Sequence, residues 1–343
     1  MDNIQDFPHE IRRFAFSTLA GGVRAKLFET LIQSKLLDIY RHKSEYTEDE
    51  IIEQLKSHPL RTKKWLHLLS VEYLLKKTTR ENIIYYSLSP ICQKFLAEKG
   101  KPIWLECVDM IESIQRFAEE NFHDVLNGSA IKFTVNWPPQ SYQDTELLEE
   151  WMRDTAFPPY EALSKNFDFT KVSTVLDVGG GDGTIACNLA KRFPHLKICV
   201  FNLPHAATLA THNIQKQGLA DRVKVIAGDF LKDNELPKGF DLMIFSRVLW
   251  DWSHETSAML LHKAYAALQT GGLIAITEAF LEENRDCSLV LEYRYLFWDN
   301  FEAAVFKSGK EYEELLTNVG FKVASFHRGR ASNVFSVLVG QKS

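Results

Sequence analysis

The chain has 343 residues, of which 45% are hydrophobic and 25% charged, with a formal net charge of −5. That is enough chain for two globular domains, and a charge so close to balance excludes the basic footprint of a nucleic-acid binder and gives no reason for an anionic membrane surface. The five cysteines, Cys92, Cys107, Cys187, Cys199 and Cys287, are odd in number and form no C-x-x-C pair, which favours a reducing cytoplasm over a disulfide framework. The charged start MDNIQDFPHEIRRF does not read as a signal peptide, and no apolar run reaches the roughly 18 residues of a membrane span.

Residues 1–105 read as helices followed by a hairpin. AKLFETLIQSKLLDIY places Leu27, Leu31, Ile32 and Leu36 at helical spacing. TEDEIIEQL opens with a capping box, Thr47 and Glu50. RTKKWLHLLSVEYLL predicts a third helix with Trp65, Leu68, Leu69 and Tyr73 on one face, and KKTTRENIIYYSLS predicts two short strands around a turn at Thr79 to Asn82. Three helices and a hairpin make a winged-helix pattern. Its third helix is apolar rather than a Lys/Arg stripe, so a protein–protein module is favoured over a DNA-binding one. Helices around Phe14 to Leu37 carry more apolar surface than one small domain buries, which predicts a homodimer.

Residues 106–170 read as connecting helices interrupted at FTVNWPPQSY, where Pro138 and Pro139 forbid a helix. There Trp137 and Tyr142 either cover a pocket or pack on a neighbour.

Residues 171–343 alternate strand and helix. STVLDVG, KICVFNLP, RVKVIAGDF, FDLMIFSRVL and GLIAITEAF read as strands separated by helices, and KVASFHRG and NVFSVLVGQK pair as a final hairpin. The expected fold is therefore α/β: a Rossmann-like parallel sheet with an antiparallel edge hairpin, preceded by a mostly helical winged-helix-like domain.

The strand-to-helix turn VLDVGGGDG sets Asp177 ahead of Gly179, Gly181 and Gly183. Glycines there let a backbone approach a ligand closely. An acid ahead of them would repel a phosphate and suit a cationic amino group, so the loop resembles the S-adenosylmethionine loop of class I methyltransferases. Asn202, in FNLPHA after the next strand, can meet ribose hydroxyls. Asp229 and Phe230, in AGDF after the third, can accept from an adenine amino group and pack on its ring.

Together, LDVGGGDG, FNLPHA, AGDF, SRVLWDWSHE, LQTGGLIAITEAF and LLTNVGF resemble the small-molecule O-methyltransferases with an N-terminal dimerisation domain, the caffeate, hydroxyindole and hydroxyneurosporene type. The resemblance covers nearly the whole chain. It implies S-adenosylmethionine as cofactor, a homodimer, and a small methyl acceptor held between domains. It also implies Leu203, Ser246 and Arg247 as further cofactor contacts.

The departures from that pattern are chemical. The family's proton-abstracting histidine, in the loop after the fourth strand, is Trp250 here, and His254 takes the place of the second acid of that loop. Asn202 stands where an aspartate is usual. A glutamate that usually precedes the penultimate helix falls, read without a gap, near Phe306. Glu278 alone matches the family's acidic partner. A hydroxyl acceptor such as a phenol, with a pKa of about 10, needs its proton removed as it attacks, and an indole N–H only donates.

Three readings stay open. The acceptor needs no strong base, as a thioether, carboxylate, amine or enolate; or Asp251, His254 or Glu278 is a relocated base; or the chain binds the cofactor without methylating. Trp250 either packs or faces a cation. The segment EYRYLFWDNFEAAVF offers Tyr293, Arg294, Phe297, Trp298 and Asn300 as acceptor contacts, with Arg294 a clamp for a carboxylate or half of a surface ion pair. No His pattern suggests a metal. A winged-helix regulator that senses a nucleoside is the reading from another class, and a basic third helix would have supported it.

Overall fold

A computed structural model of the chain describes residues 7–98, 107–108, 111, 124, 126–128, 139, 141–281, 289, 293, 302, 306–329 and 333–343. Two compact units divide the chain, Met1–Ile111 and Glu112–Ser343.

In the first unit, a long helix α1 (Phe7–Gln33) is broken from the short α2 (Leu36–Ile39) by Lys35, whose φ of 62° no helix accommodates. Strand β1 (Glu45–Thr47) runs into α3 (Glu48–Leu55), where the Thr47–Glu50 capping box forms in both directions. Helix α4 (Pro59–Val71), strands β2 (Leu75–Arg80) and β3 (Ile83–Leu88), and helix α5 (Pro90–Glu98) follow. The hairpin turn is Glu81–Asn82, both with positive φ, the backbone that a tight two-residue connection requires.

Two expectations are corrected here. The sheet has three strands in the order β1-β3-β2, because Glu45–Thr47 adds to the hairpin. The buried face of α4 is Thr62, Leu66 and Leu69, whereas Leu68 and Tyr73 are 43% and 83% exposed. The helix stops at Val71, and Tyr73 lies beyond it with φ of 57°, so helical spacing no longer governs where it lies.

In the second unit, α6 (Tyr142–Asp154) and α7 (Phe157–Asn166) precede a seven-stranded sheet. Strands β4 (Thr174–Val178), β5 (Lys197–Asn202), β6 (Val223–Ala227), β7 (Leu242–Ser246) and β8 (Leu273–Ala279) are parallel. The final strands β9 (Phe321–His327) and β10 (Phe335–Lys342) close the edge antiparallel. Helices α8 (Thr184–Arg192), α9 (Pro204–Lys216), α10 (His254–Ala267) and α11 (Gly309–Val319) cover the two faces.

Side-chain alternation sorts the two cores. Val175, Val200 and Ile244 face one cluster; Leu176, Phe201, Met243 and Phe245 face the other. Strands covered on both faces read as near-continuous apolar runs, as TVLDV and LMIFS do. The spatial order β6-β5-β4-β7-β8-β10-β9 starts β4 in the middle and sends the chain first one way, then the other. That reversal opens a crevice at the carboxyl ends of β4 and β7, where ligands of such sheets bind.

Candidate active site

The glycine loop leaves β4 at that crevice. Gly179 continues the ladder by donating to Phe201 O at 2.8 Å, yet has φ of 70°. A Cβ there would stand 2.9 Å from Val248 Cγ2, so both the backbone and the space call for glycine. Gly181 has φ of 57°, and a Cβ on it would lie 2.6 Å from Glu149 Oε2. Its bare Cα therefore meets a carboxylate from α6. Gly183 is the N-cap of α8.

Asp177, Gly179, Gly181, Ser246 and Arg247 line one small cleft. The cleft also takes Glu149, Met152 and Ala156 from the segment read as connecting helices. Asp177 is 1% exposed and neither of its carboxylate oxygens has a hydrogen-bond partner; Ser246 Oγ is likewise unpartnered. Burial pushes the Asp177 carboxyl up to about 7, against the pull of Arg247. Buried polar groups without partners are few in native proteins. Here an unpartnered carboxylate beside bare glycine backbone fits a ligand that brings N–H donors and positive charge. Arg247, in a left-handed conformation, crosses the cleft wall to the C-terminal end of α6. Its guanidinium donates to Thr155 Oγ1 at 2.7 Å and to Met152 O at 2.8 Å.

The other expected cofactor residues sit at the carboxyl ends of β5 and β6 and are engaged locally. Asn202 Oδ1 accepts from Leu203 N at 2.8 Å, and its amide donates to Gly181 O at 3.4 Å, so Asn202 braces the glycine loop. Asp229 accepts from Leu231 N at 3.0 Å and pairs with Lys232 at 3.1 Å. Burial raises its pKa, but Lys232 and the turn amides outweigh that and hold it below its ordinary value. Phe230 stands edge-on to Trp252, with centroids 6.0 Å apart.

The four catalytic candidates do not line the cleft. Trp250, in a 3-10 turn after β7, is 9% exposed. Its ring stacks on Phe306 with centroids 5.1 Å apart and planes at 16°, and tilts against Phe335 at 6.0 Å. The turn is held from two sides. Glu278, fully buried at the end of β8, accepts from Val248 N at 3.0 Å, from Leu249 N at 2.6 Å and from the Tyr312 hydroxyl. Burial raises its pKa against the pull of those donors and of Lys307. Lys307, 2% exposed, donates to Leu249 O at 2.8 Å and to Trp252 O at 2.5 Å. Burial lowers its pKa while Glu278, Asp251, Glu311 and Glu302 oppose the shift.

His254 starts α10, its side chain 58% exposed, with Nε2 3.0 Å from Glu311. Asp251 closes the Trp250 turn and its carbonyl accepts from Glu302 N at 3.1 Å. The expected acceptor contacts Arg294, Phe297, Trp298 and Asn300, and Trp137, lie outside the described residues. Among the described residues no group of three or more His, Cys, Asp or Glu is arranged to hold a metal ion. No described helix is long and apolar enough to cross a membrane.

Sequence reasoning missed Glu149. It sits in a run of acids, Glu146, Glu149 and Glu150, that reads as a solvated face. Its only signal is its place four residues after Thr145, the two being the buried positions of α6.

Comparison with known proteins gives this geometry a context. The O-methyltransferase domain model matches residues 121–322, more than half of the chain. A bacteriochlorophyllide d C-20 methyltransferase of Chlorobaculum tepidum is 26% identical over 275 residues, 80% of this chain and 76% of that one. An L-tyrosine C(3)-methyltransferase of Streptomyces lavendulae is 33% identical over 224 residues, 64% of this chain and 60% of that one. Human N-acetylserotonin methyltransferase, solved in complex with S-adenosylmethionine, shares the fold with a TM-score of 0.70 at 18% identity, over 97% of this chain and 98% of that one. The chain belongs to the O-methyltransferase family, enzymes that take their methyl group from S-adenosylmethionine.

Proposed function

We propose that the enzyme methylates a small acceptor whose attacking atom needs no histidine base: a thioether sulfur, a carboxylate, an amine or an enolate. The Trp250–Phe306 stack carries this reading. Where the family resemblance implies a histidine and a glutamate, two aromatic rings face each other, and neither can take a proton. S-adenosylmethionine supplies a methyl group already activated on a sulfonium, so transfer depends mainly on holding the acceptor in line. This chain's residues do the holding. Asp177 and the glycine loop seat the amino-acid end of the donor, and Asn202, Leu203, Asp229 and Phe230 border its nucleoside end. Glu278 and Lys307 fix the turn that walls the acceptor side. Two of the three proteins described above are named for methylation at carbon, so the fold also serves acceptors other than a hydroxyl.

A panel of phenol, carboxylate, amine, thioether and keto-acid acceptors with labelled donor tests this. Trp250→His is expected to raise turnover on none of them. Efficient methylation of a neutral phenol, with an ionisation in the rate profile that Asp251→Asn removes, would contradict the reading and establish a relocated base. The first unit serves as a dimerisation module in the same account: Phe16, Leu19 and Val23 of α1 are 66%, 66% and 53% exposed at helical spacing, a stripe suited to a second copy. Light scattering at micromolar concentration is expected to show a dimer, and a monomer would refute that role.

A further inference from the structure

Asp177 is not the only buried carboxylate with an unpaired oxygen at the glycine loop. Glu149, on α6, is 5% exposed, and its Oε2 has no hydrogen-bond partner. That oxygen sits over Gly181, as the 2.6 Å approach to a Cβ at that position shows. Glu149 and Asp177 line the same cleft. The neighbouring acid, Asp182, is different: it accepts from Thr184 N at 3.0 Å and Thr184 Oγ1 at 2.6 Å and faces Arg153 at 3.3 Å. Arg153 therefore has a partner of its own in Asp182, and the two terminal nitrogens of Arg247 donate to Thr155 and Met152 while its charge bears on both Glu149 and Asp177.

Leaving one buried carboxylate with an unpaired oxygen is costly, and leaving two such carboxylates on the same small cleft is costlier. A compact cation with several N–H donors relieves both. A phosphate or a second carboxylate would aggravate both. We propose that Glu149 and Asp177 together form a two-carboxylate seat for the α-ammonium of the donor. Glu149 is then a specificity residue for the amino-acid end, supplied from outside the glycine motif. This rests on the reading that the loop binds S-adenosylmethionine.

The seat has a pH signature. Burial, and then the nearby charge of Asp182, push Glu149 up to about 7 against the pull of the Asp182 backbone amide, Arg247 and Arg153. Burial alone pushes Asp177 to the same range, with Arg247 opposing. Both carboxyls are thus partly protonated in the free enzyme at neutral pH, and an ammonium binds their ionised forms. Affinity should rise from pH 6 to pH 8, and binding near pH 7 should release protons.

Calorimetry with two ligands tests the proposal. S-adenosylhomocysteine carries the amino-acid end; 5′-methylthioadenosine has the nucleoside and thioether without it. Glu149→Gln is expected to weaken S-adenosylhomocysteine about 10- to 100-fold at pH 8, leave methylthioadenosine within about twofold, and flatten the pH dependence of the first ligand. Unchanged S-adenosylhomocysteine binding, or equal weakening of both ligands, would overturn it. Should the variant fail to fold, the wild type still decides: titration near pH 7 in two buffers of different ionisation enthalpy is expected to show proton release with S-adenosylhomocysteine and none with methylthioadenosine. Equal release would overturn the proposal. If neither ligand binds the wild type, the donor-site reading itself fails, and the seat with it.

Discussion

Two carboxylates end neighbouring parts of the same sheet, and they live differently. Asp177, at the end of β4, is buried with no donor on either oxygen. Glu278, at the end of β8, is buried with two backbone amides and a tyrosine hydroxyl on it. Burial raises the pKa of both. A perturbed carboxyl is therefore not by itself the mark of a catalytic base; the hydrogen-bond accounting separates a group waiting for a ligand from one that holds a turn in place. By that criterion the glycine loop is the reactive end, and the Trp250 turn is a finished piece of scaffold with an aromatic wall.

The comparison predicts opposite responses to substitution. The largest effect is expected at the scaffold end. Glu278→Ala strands two buried amides and removes a nearby opposite charge from the buried Lys307, and should lower the unfolding free energy by about 3–5 kcal/mol, read by denaturant titration. A loss below about 1 kcal/mol would mean that Glu278 does not hold the turn. Next comes Trp250→His, which trades the stack on Phe306 for a smaller polar ring and should cost about 2–4 kcal/mol. A wild-type melting temperature for that variant would show that the ring is not part of the core. Smallest is His254→Ala: its pair with Glu311 is largely exposed and should be worth at most about 1 kcal/mol. The same substitution should leave the pH–rate profile intact.

Much of this contrast was legible in the chain, for local reasons. The glycine loop declares itself because three positive-φ glycines must follow a strand and precede a helix, and the alternating strands declare themselves by apolar runs. The Thr47–Glu50 box needs only residues three apart. The resemblance alone points to position 306 as the place of a missing acid. That Phe306 lies flat on Trp250 is a tertiary fact that joins residues 56 apart in number. Glu149 stayed hidden for the same reason: its helix precedes the sheet, and only folding brings it over Gly181. The role of Glu278 was hidden by its donors, Tyr312 and the 248–249 amides, which lie far from it in sequence. The exposed Tyr73 was misplaced because nothing in SVEYLL marks the helix end at Val71.

The stability of Asp177→Asn with and without ligand tests the central claim most directly. The folded carboxyl, at about 7, lies above its ordinary value of about 3.9. The native state therefore binds more protons than the unfolded one between those pH values, and wild-type stability should fall as pH rises through that window. The amide has no such slope, so at pH 8 the ligand-free variant is expected to be more stable than the wild type by about 1–3 kcal/mol. With S-adenosylhomocysteine at about 100 times its wild-type dissociation constant, the wild type should gain about 2.7 kcal/mol and the variant almost nothing. A variant less stable than the wild type without ligand, or equally stabilised by it, would contradict the account.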